Sequence, residues 1–300
     1  MKELQLQVNE KKLLLRNIAT QWSELTVQQL RCYAEVFFPY RKNLFVIEED
    51  NVFVHPDYEL LYEHIRYALL HSLLQIPEKD FLKLSAAHLH ELLHTHNLVQ
   101  FFFTEQWVVT KNPIQSLSSF TLRGRRTILG PSIEFHATTL EEFIVADRCY
   151  LDYNTTGDEE HLHNLMAVFF RPEVPASDRR DKLSSDVRQP FHADRMDDFM
   201  YIINAAPQWK KIVFFMWFES ARNRMALRYK ECFTPSADSS NETQTSGILD
   251  SLLGFARNAK DYDTIKRLPV YLVMSDAQKG ILSEKEAEKR LRESKGGISI

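Results

Sequence analysis

A chain of 300 residues is long enough for one large domain or two ordinary ones, and 44% hydrophobic residues supply ample material for a core. The formal charge of -4 argues against strong nonspecific binding to a phosphate backbone. The three cysteines, Cys32, Cys149 and Cys232, are widely spaced and form no CxxC pair, so they give no basis for a disulfide framework or a thiolate zinc site. The 8 glycines are few beside abundant Leu, Phe, Lys and Glu, which favours helices. MKELQLQVNEKK carries no apolar run after its first lysine and so does not read as a signal peptide. The longest apolar run, 212–218, is far short of the roughly 20 residues that a bilayer-spanning helix needs. The expectation is a mainly α-helical protein of a reducing cytoplasm, with a few short β-strands near the N-terminus and around 105–135.

Alternating Leu4, Leu6 and Val8 ahead of Asn9-Glu10 predict a hairpin over 2–15. Thr26 is placed to cap a helix over 27–38, with Leu30, Tyr33, Ala34 and Phe37 on one face and Pro39 ending it. Pro56 suits the first turn of a helix to about Leu74, lined by Leu60, Leu61, Ile65, Ala68 and Leu69. A short helical piece over 78–84 follows, and then Ser85 caps AAHLHELLHTH. LVQFFF is a dense apolar patch; 107–109 and 127–130 read as strands, and TLRGRR (121–126) as a small basic hairpin.

Thr139 and Glu142 have capping-box spacing at the start of the next helix, with Thr138 and Glu141 the alternative. Leu140, Phe143, Ile144 and Tyr150 form its stripe; NTTGDEE breaks it, and Leu162, Leu165, Met166 and Phe169 line a second helix that Pro172 ends. The pair predicts an αα-hairpin. Residues 172–195 read as a polar surface loop and 196–205 as a helix. Pro207 opens a helix to Lys230 whose IVFFMWF start, apolar all round, belongs at the core. Helices are expected at 248–258, near 262–279 and over 283–293. The division expected is a helical main domain over 1–233, a flexible linker over 234–247 (TPSADSSNETQTSG), a C-terminal helical segment over 248–293 and a disordered tail over 294–300.

The sharpest chemical signal is His90-Glu91-Leu92-Leu93-His94, an HExxH match. Positions i and i+4 share a helix face, so two imidazoles can bind one zinc ion, with Glu91 as general base for a zinc-bound water. A third ligand must come from elsewhere, and His96, Glu105, Glu134 and His136 are the nearest candidates. The competing reading, which the clustering of His88, His90, His94 and His96 favours, is a partly exposed histidine-rich face without metal. The metzincin extension fails, because Asn97 and Gln100 stand where it needs Gly and His. GxSxG, GxxxxGK[ST] and GxGxxG are missing. Asp147, Asp152, Asp158, Glu159 and Glu160 read as a solvated carboxylate face, and Arg123, Arg125, Arg126, Arg179, Arg180 and Lys182 as solvated basic loops rather than a nucleic-acid site, since no aromatics are interleaved. The KEAEKRL run reads as a solvated terminal helix.

Residues 128–174 resemble a group of Bacteroidetes phage and prophage proteins. The shared residues are Gly130, Pro131, Leu140, Glu142, Phe143, Ala146, Tyr150, Tyr153, Thr156, Asp158, Leu162, Leu165, Ala167, Val168, Phe170, Arg171 and Pro172, with Arg188, Pro190 and Phe191 as a continuation. The stretch 248–279, ILDSLLGFARNAKDYDTIKRLPVYLVMSDAQK, is similar to the C-terminal region of phage tail-assembly chaperones, in which a helix precedes a "D.I…P(V/L)Y.V" segment and a further helix. The resemblance implies a noncatalytic role in virion morphogenesis in the host cytoplasm, with no cofactor and a partner such as a tail tape-measure or tail-tube protein; it brings no established functional residues. Residue chemistry gives these positions core roles, with Arg171 turned toward the C-terminal carbonyls of its helix and paired with a carboxylate such as Asp158.

Overall fold

The computed structural model describes residues 2–9, 12–41, 43–48, 51–103, 109–121, 124–131, 134–175, 177, 186–233 and 263–296. They fall into two compact units: residues 1–113 with 207–217, and residues 114–206 with 218–300.

In the first unit, β1 (Lys2–Asn9) and β2 (Lys12–Ile18) form the expected antiparallel hairpin, with Leu6 opposite Leu14. Helix α1 (Val27–Val36) starts at a full capping box: Thr26 Oγ1 accepts from the Gln29 N–H at 3.3 Å and Gln29 Oε1 from the Thr26 N–H at 2.8 Å. It stops two residues earlier than the spacing predicts, because Pro39 tightens Phe38–Tyr40 into a 3-10 turn. A second hairpin, β3 (Phe45–Glu48) and β4 (Asn51–Val54), was not foreseen; its apolar runs are too short for periodicity to separate from a loop. Helix α2 (Glu59–Leu74) follows a 3-10 turn over Pro56–Tyr58 and buries Ile65, Leu69, Leu70, Leu73 and Leu74, while Leu60, counted above as apolar lining, is exposed. Two short helices complete this stretch, α3 (Glu78–Phe81) and α4 (Ala86–His90), the latter capped by Ser85 as expected. Trp22, Tyr33 and Phe102 form the aromatic centre, with ring separations of 4.8 to 5.6 Å. Phe215 joins this unit against Phe38 at 5.9 Å.

The second unit opens with the hairpin β5 (Ser116–Thr121) and β6 (Gly124–Leu129), longer than the two short pieces that the sequence suggests. Of the 107–109 strand only Val109 is described, and it lies outside any strand. Helix α5 (Leu140–Thr156) uses Thr139 and Glu142 as its capping box, which settles the two alternatives. Gly157, at φ +74, closes α5, and Asp158 caps α6 (Glu159–Phe169), giving the predicted helical hairpin. Beyond α6, Arg171 and Leu129 exchange backbone hydrogen bonds of 2.8 and 3.0 Å. The stretch read as a surface loop is therefore stitched down at its described ends: the Val174 N–H bonds the Val187 carbonyl and the Gln189 N–H the Pro172 carbonyl, both at 2.8 Å. A 3-10 stretch over Ala193–Phe199 and α7 (Met200–Asn204) replace the single helix expected at 196–205.

Helix α8 (Gln208–Arg228) supplies its residues up to Trp217 to the first unit and the remainder to the second. Ile212 through Phe218 are all buried, as their composition predicts. After α9 (Lys230–Phe233) the description resumes at residue 263, and α10 (Val270–Gly296) runs unbroken where two helices were expected. Gly280 costs about 1 kcal/mol in a helix without stopping it, and Val270, Val273, Met274 and Ala277 bury one face ahead of it. Phe135, Phe143, Phe169 and Phe218 form the aromatic centre of this unit, with Phe135 5.4 to 6.0 Å from the other three. The expected linker over 234–247 and helix over 248–258 lie outside the described residues; of the disordered tail expected over 294–300, residues 294–296 instead continue α10, and 297–300 lie outside the described residues. The result is mainly α with a few short strands, as expected. Among the described residues no helix is long and apolar enough to cross a membrane.

Candidate functional site

The HExxH residues sit where α4 widens into a π-helical turn over Glu91–Thr95, in which the His96 N–H reaches the Glu91 carbonyl five residues back at 3.0 Å. The imidazoles of His90 and His94 lie 4.3 Å apart, their planes 31° from parallel, and both side chains are exposed. Glu91 Oε1 lies 3.5 Å from His96 Nε2, and the other nitrogen of His96 is 3.4 Å from Lys2 Nζ. Of the remaining third-ligand candidates, Glu134 and His136 belong to the second unit, and Glu105 lies outside the described residues. The Glu134 carboxylate accepts from Arg224 Nε and from the Tyr271 hydroxyl, each at 3.0 Å. Among the described residues no group of three His, Cys, Asp or Glu side chains is placed to hold a metal ion.

A different constellation lies in the second unit, around a cleft of about 1000 Å³. Its construction starts at the α5 capping box. Glu142 Oε2 accepts the Thr139 N–H at 3.1 Å, which leaves Oε1 to take a hydrogen bond from Arg171 Nη1. The backbone pairing with Leu129 fixes Arg171 in place, and its Nη2 lies 3.9 Å from Asp186 Oδ2. Asp186 in turn grips Arg188 in a two-pronged pair, Nε and Nη2 each at 2.8 Å. Arg188 Nη1 then donates to the Phe169 carbonyl at 2.7 Å, at the last residue of α6.

This corrects the sequence reading in two ways. Arg188, and not Arg171, serves the carbonyl end of α6. Arg171 pairs with Glu142 and not with Asp158, which caps the opposite end of α6, about 16 Å away at 1.5 Å per residue. Burial pushes the Arg171 guanidinium down, against the pull of Glu142. Burial alone would push the Asp186 carboxyl up, but the hydrogen bonds and charge of Arg188 outweigh it and hold the carboxyl below its ordinary value.

Thr138 and the segment before α10 line the same cleft. The Leu140 and Glu141 N–H groups, free donors at the start of a helix, bond the Leu268 and Lys266 carbonyls, each at 2.9 Å, and the Val270 N–H bonds the Thr138 carbonyl at 2.9 Å. Lys266 and Arg267 stand on the cleft with Pro190, Phe191 and Pro269. Among the described residues, Arg171 Nε and Thr138 Oγ1 are buried with no hydrogen-bond partner. A smaller cavity of about 440 Å³ shares Thr138, Asp186 and Arg188 and adds Glu134 and His136. Glu134 holds a left-handed φ of +28, a strained conformation for a residue with a side chain.

Asp147 is the other correction. Expected on a solvated carboxylate face, it is buried and paired with Arg222, although burial still pushes its carboxyl up. Periodicity carried the signal, since 143, 147 and 150 share one helix face with Phe143 and Tyr150. Glu159 and Glu160 are exposed, as expected. So are Arg125 and Arg126 of the basic group, whose Arg123, Arg179, Arg180 and Lys182 lie outside the described residues. Burial raises all three thiols above their ordinary range, Cys149 and Cys232 to about 11, which leaves little nucleophilic thiolate at neutral pH. Asp186, Thr138, Lys266 and Arg267 are not legible in advance as cleft residues, because their meeting depends on long-range backbone pairing. No protein-family model matches the chain, and neither a curated protein nor a solved structure is detectably similar to it.

Proposed function

We propose that this protein is a noncatalytic assembly factor of a phage or prophage, working in the host cytoplasm by holding a segment of a phage structural protein such as the tail tape-measure or tail-tube protein. One observation carries the reading. The two stretches that resemble phage proteins, 128–174 and the described part of 248–279, are hydrogen-bonded to each other at 138–141 and 266–270 and line one cleft. Glu142, Arg171, Arg188, Pro190 and Phe191 of the first stretch and its continuation meet Lys266, Arg267 and Pro269 of the second there. The cleft, about 1000 Å³, sets prolines and a phenylalanine beside paired charges, and a short chain segment can lie in it. No metal, cofactor or nucleic acid is part of this role.

Co-expression with a tape-measure protein from the same genome tests the reading. The expected result is a complex that co-elutes in gel filtration and is weakened about tenfold by Arg267→Glu, a change at an exposed cleft residue. Separate elution of the two chains, or equal binding by the variant, counts against it.

The second reading is a zinc metallopeptidase with His90 and His94 as ligands and Glu91 as base, favoured by the 4.3 Å approach of the two imidazoles. Peptide hydrolysis that needs zinc and disappears in Glu91→Gln would establish it in place of the first.

A further inference from the structure

We propose that His90 and His94 form a two-histidine chelate for one borderline transition-metal ion, Zn²⁺, Ni²⁺ or Cu²⁺, at the surface of the first unit. The proposal is independent of the cleft and of any peptidase activity.

The imidazoles stand one turn apart, 4.3 Å between ring centres and 31° from parallel, and both are open to solvent. Neutral imidazole is the ligand these ions favour, and two donors on one helix face can bind in a single step. The backbone beneath is held: Leu92 and Leu93 are buried, and buried Arg66 donates from Nη2 to the Leu93 carbonyl at 3.1 Å. The turn that carries His94 is π-helical, a geometry that recurs at functional sites. Preorganisation of this kind lowers the ordering cost of chelation.

The neighbouring groups define the limits of the site. His96 is engaged by Glu91 and Lys2, so it is assigned no ligand role. No third His, Cys, Asp or Glu among the described residues joins the pair, so the proposal rests on these two donors alone. Two protein donors imply modest, exchangeable binding rather than a structural metal. A peptidase needs a third protein ligand and an aligned base; a surface chelate needs neither.

The test is isothermal titration of the 300-residue chain with Zn²⁺ and, separately, Ni²⁺. The expected result is one ion per chain, with affinity falling about tenfold or more in both His90→Ala and His94→Ala, because losing either donor abolishes the chelate effect. His96→Ala and Glu91→Gln should leave the affinity within about twofold. Circular dichroism of each variant separates lost ligands from lost folding. Wild-type affinity in His94→Ala, a marked loss in His96→Ala, or no uptake by the wild type would overturn the proposal.

Discussion

Arg171 and Glu142 are each less than a tenth exposed and face one another across the start of α5. A buried pair is costly to break from one side, because the surviving charge has neither water nor a partner. Arg171→Met should therefore lower the unfolding free energy by about 3–5 kcal/mol in urea titrations, and Glu142→Gln should also be strongly destabilising. The double variant should lose clearly less than the sum of the two. Additive losses would mean that the pair is not coupled. Asp186 adds a pH dependence whose sign follows from its lowered carboxyl. The unfolded chain takes up that proton near pH 3.9, while the folded chain resists it to lower pH. The stabilisation is thus complete above the unfolded value and is lost as pH falls through the folded one. Asp186→Asn should be less stable at neutral pH and should lose less than the wild type between about pH 5 and pH 3. Parallel pH profiles for the two proteins would remove Asp186 from the acid response.

At the level of elements, what could be read in advance was local chemistry. Thr26, Ser85 and Thr139 each cap the helix that follows them, and Leu162, Leu165, Met166 and Phe169 fill the core at the spacing that marked them. What could not be read was pairing between distant segments. The partners of Arg171, the pairing of 172–174 with 187–189 and the attachment of 266–270 to the start of α5 depend on backbone hydrogen bonds that no periodicity announces. Two glycines illustrate the divide. Gly157 is legible as a helix-ending residue with φ +74, and a Cβ there would meet nothing within 4 Å. A Cβ on Gly130 would lie 2.7 Å from the Ile114 carbonyl oxygen and 2.8 Å from the Phe170 ring, a contact set by tertiary packing alone. Gly157→Ala should cost about 1 kcal/mol through backbone strain. Gly130→Ala should cost more, about 1–3 kcal/mol, because backbone and a buried ring must move. Equal urea midpoints for the two variants would contradict that ranking.

Across the whole molecule, the two units do not divide the sequence into two independent pieces. The chain leaves the first unit after Pro113, returns at Pro207 and leaves again after Trp217, inside the continuous helix α8. The residues it lends on that return include Ile212, Val213, Phe214, Phe215, Met216 and Trp217, all buried, with Phe215 packed on Phe38 and the rings of Phe214 and Trp217 5.2 Å apart. A fragment starting at Ile114 keeps every residue of the second unit but also carries this segment without Phe38 and the rest of residues 1–113. Fully burying one such side chain contributes about 1.5–3 kcal/mol, so exposing a group of them amounts to a large apolar patch. The 114–300 fragment should therefore aggregate or bind a hydrophobic dye strongly, whereas the full chain should stay monodisperse in light scattering. Adding residues 1–113 as a separate polypeptide during refolding should restore solubility. A fragment that is soluble and dye-silent by itself would show that the core-lining half of α8 can be covered without the residues that precede it.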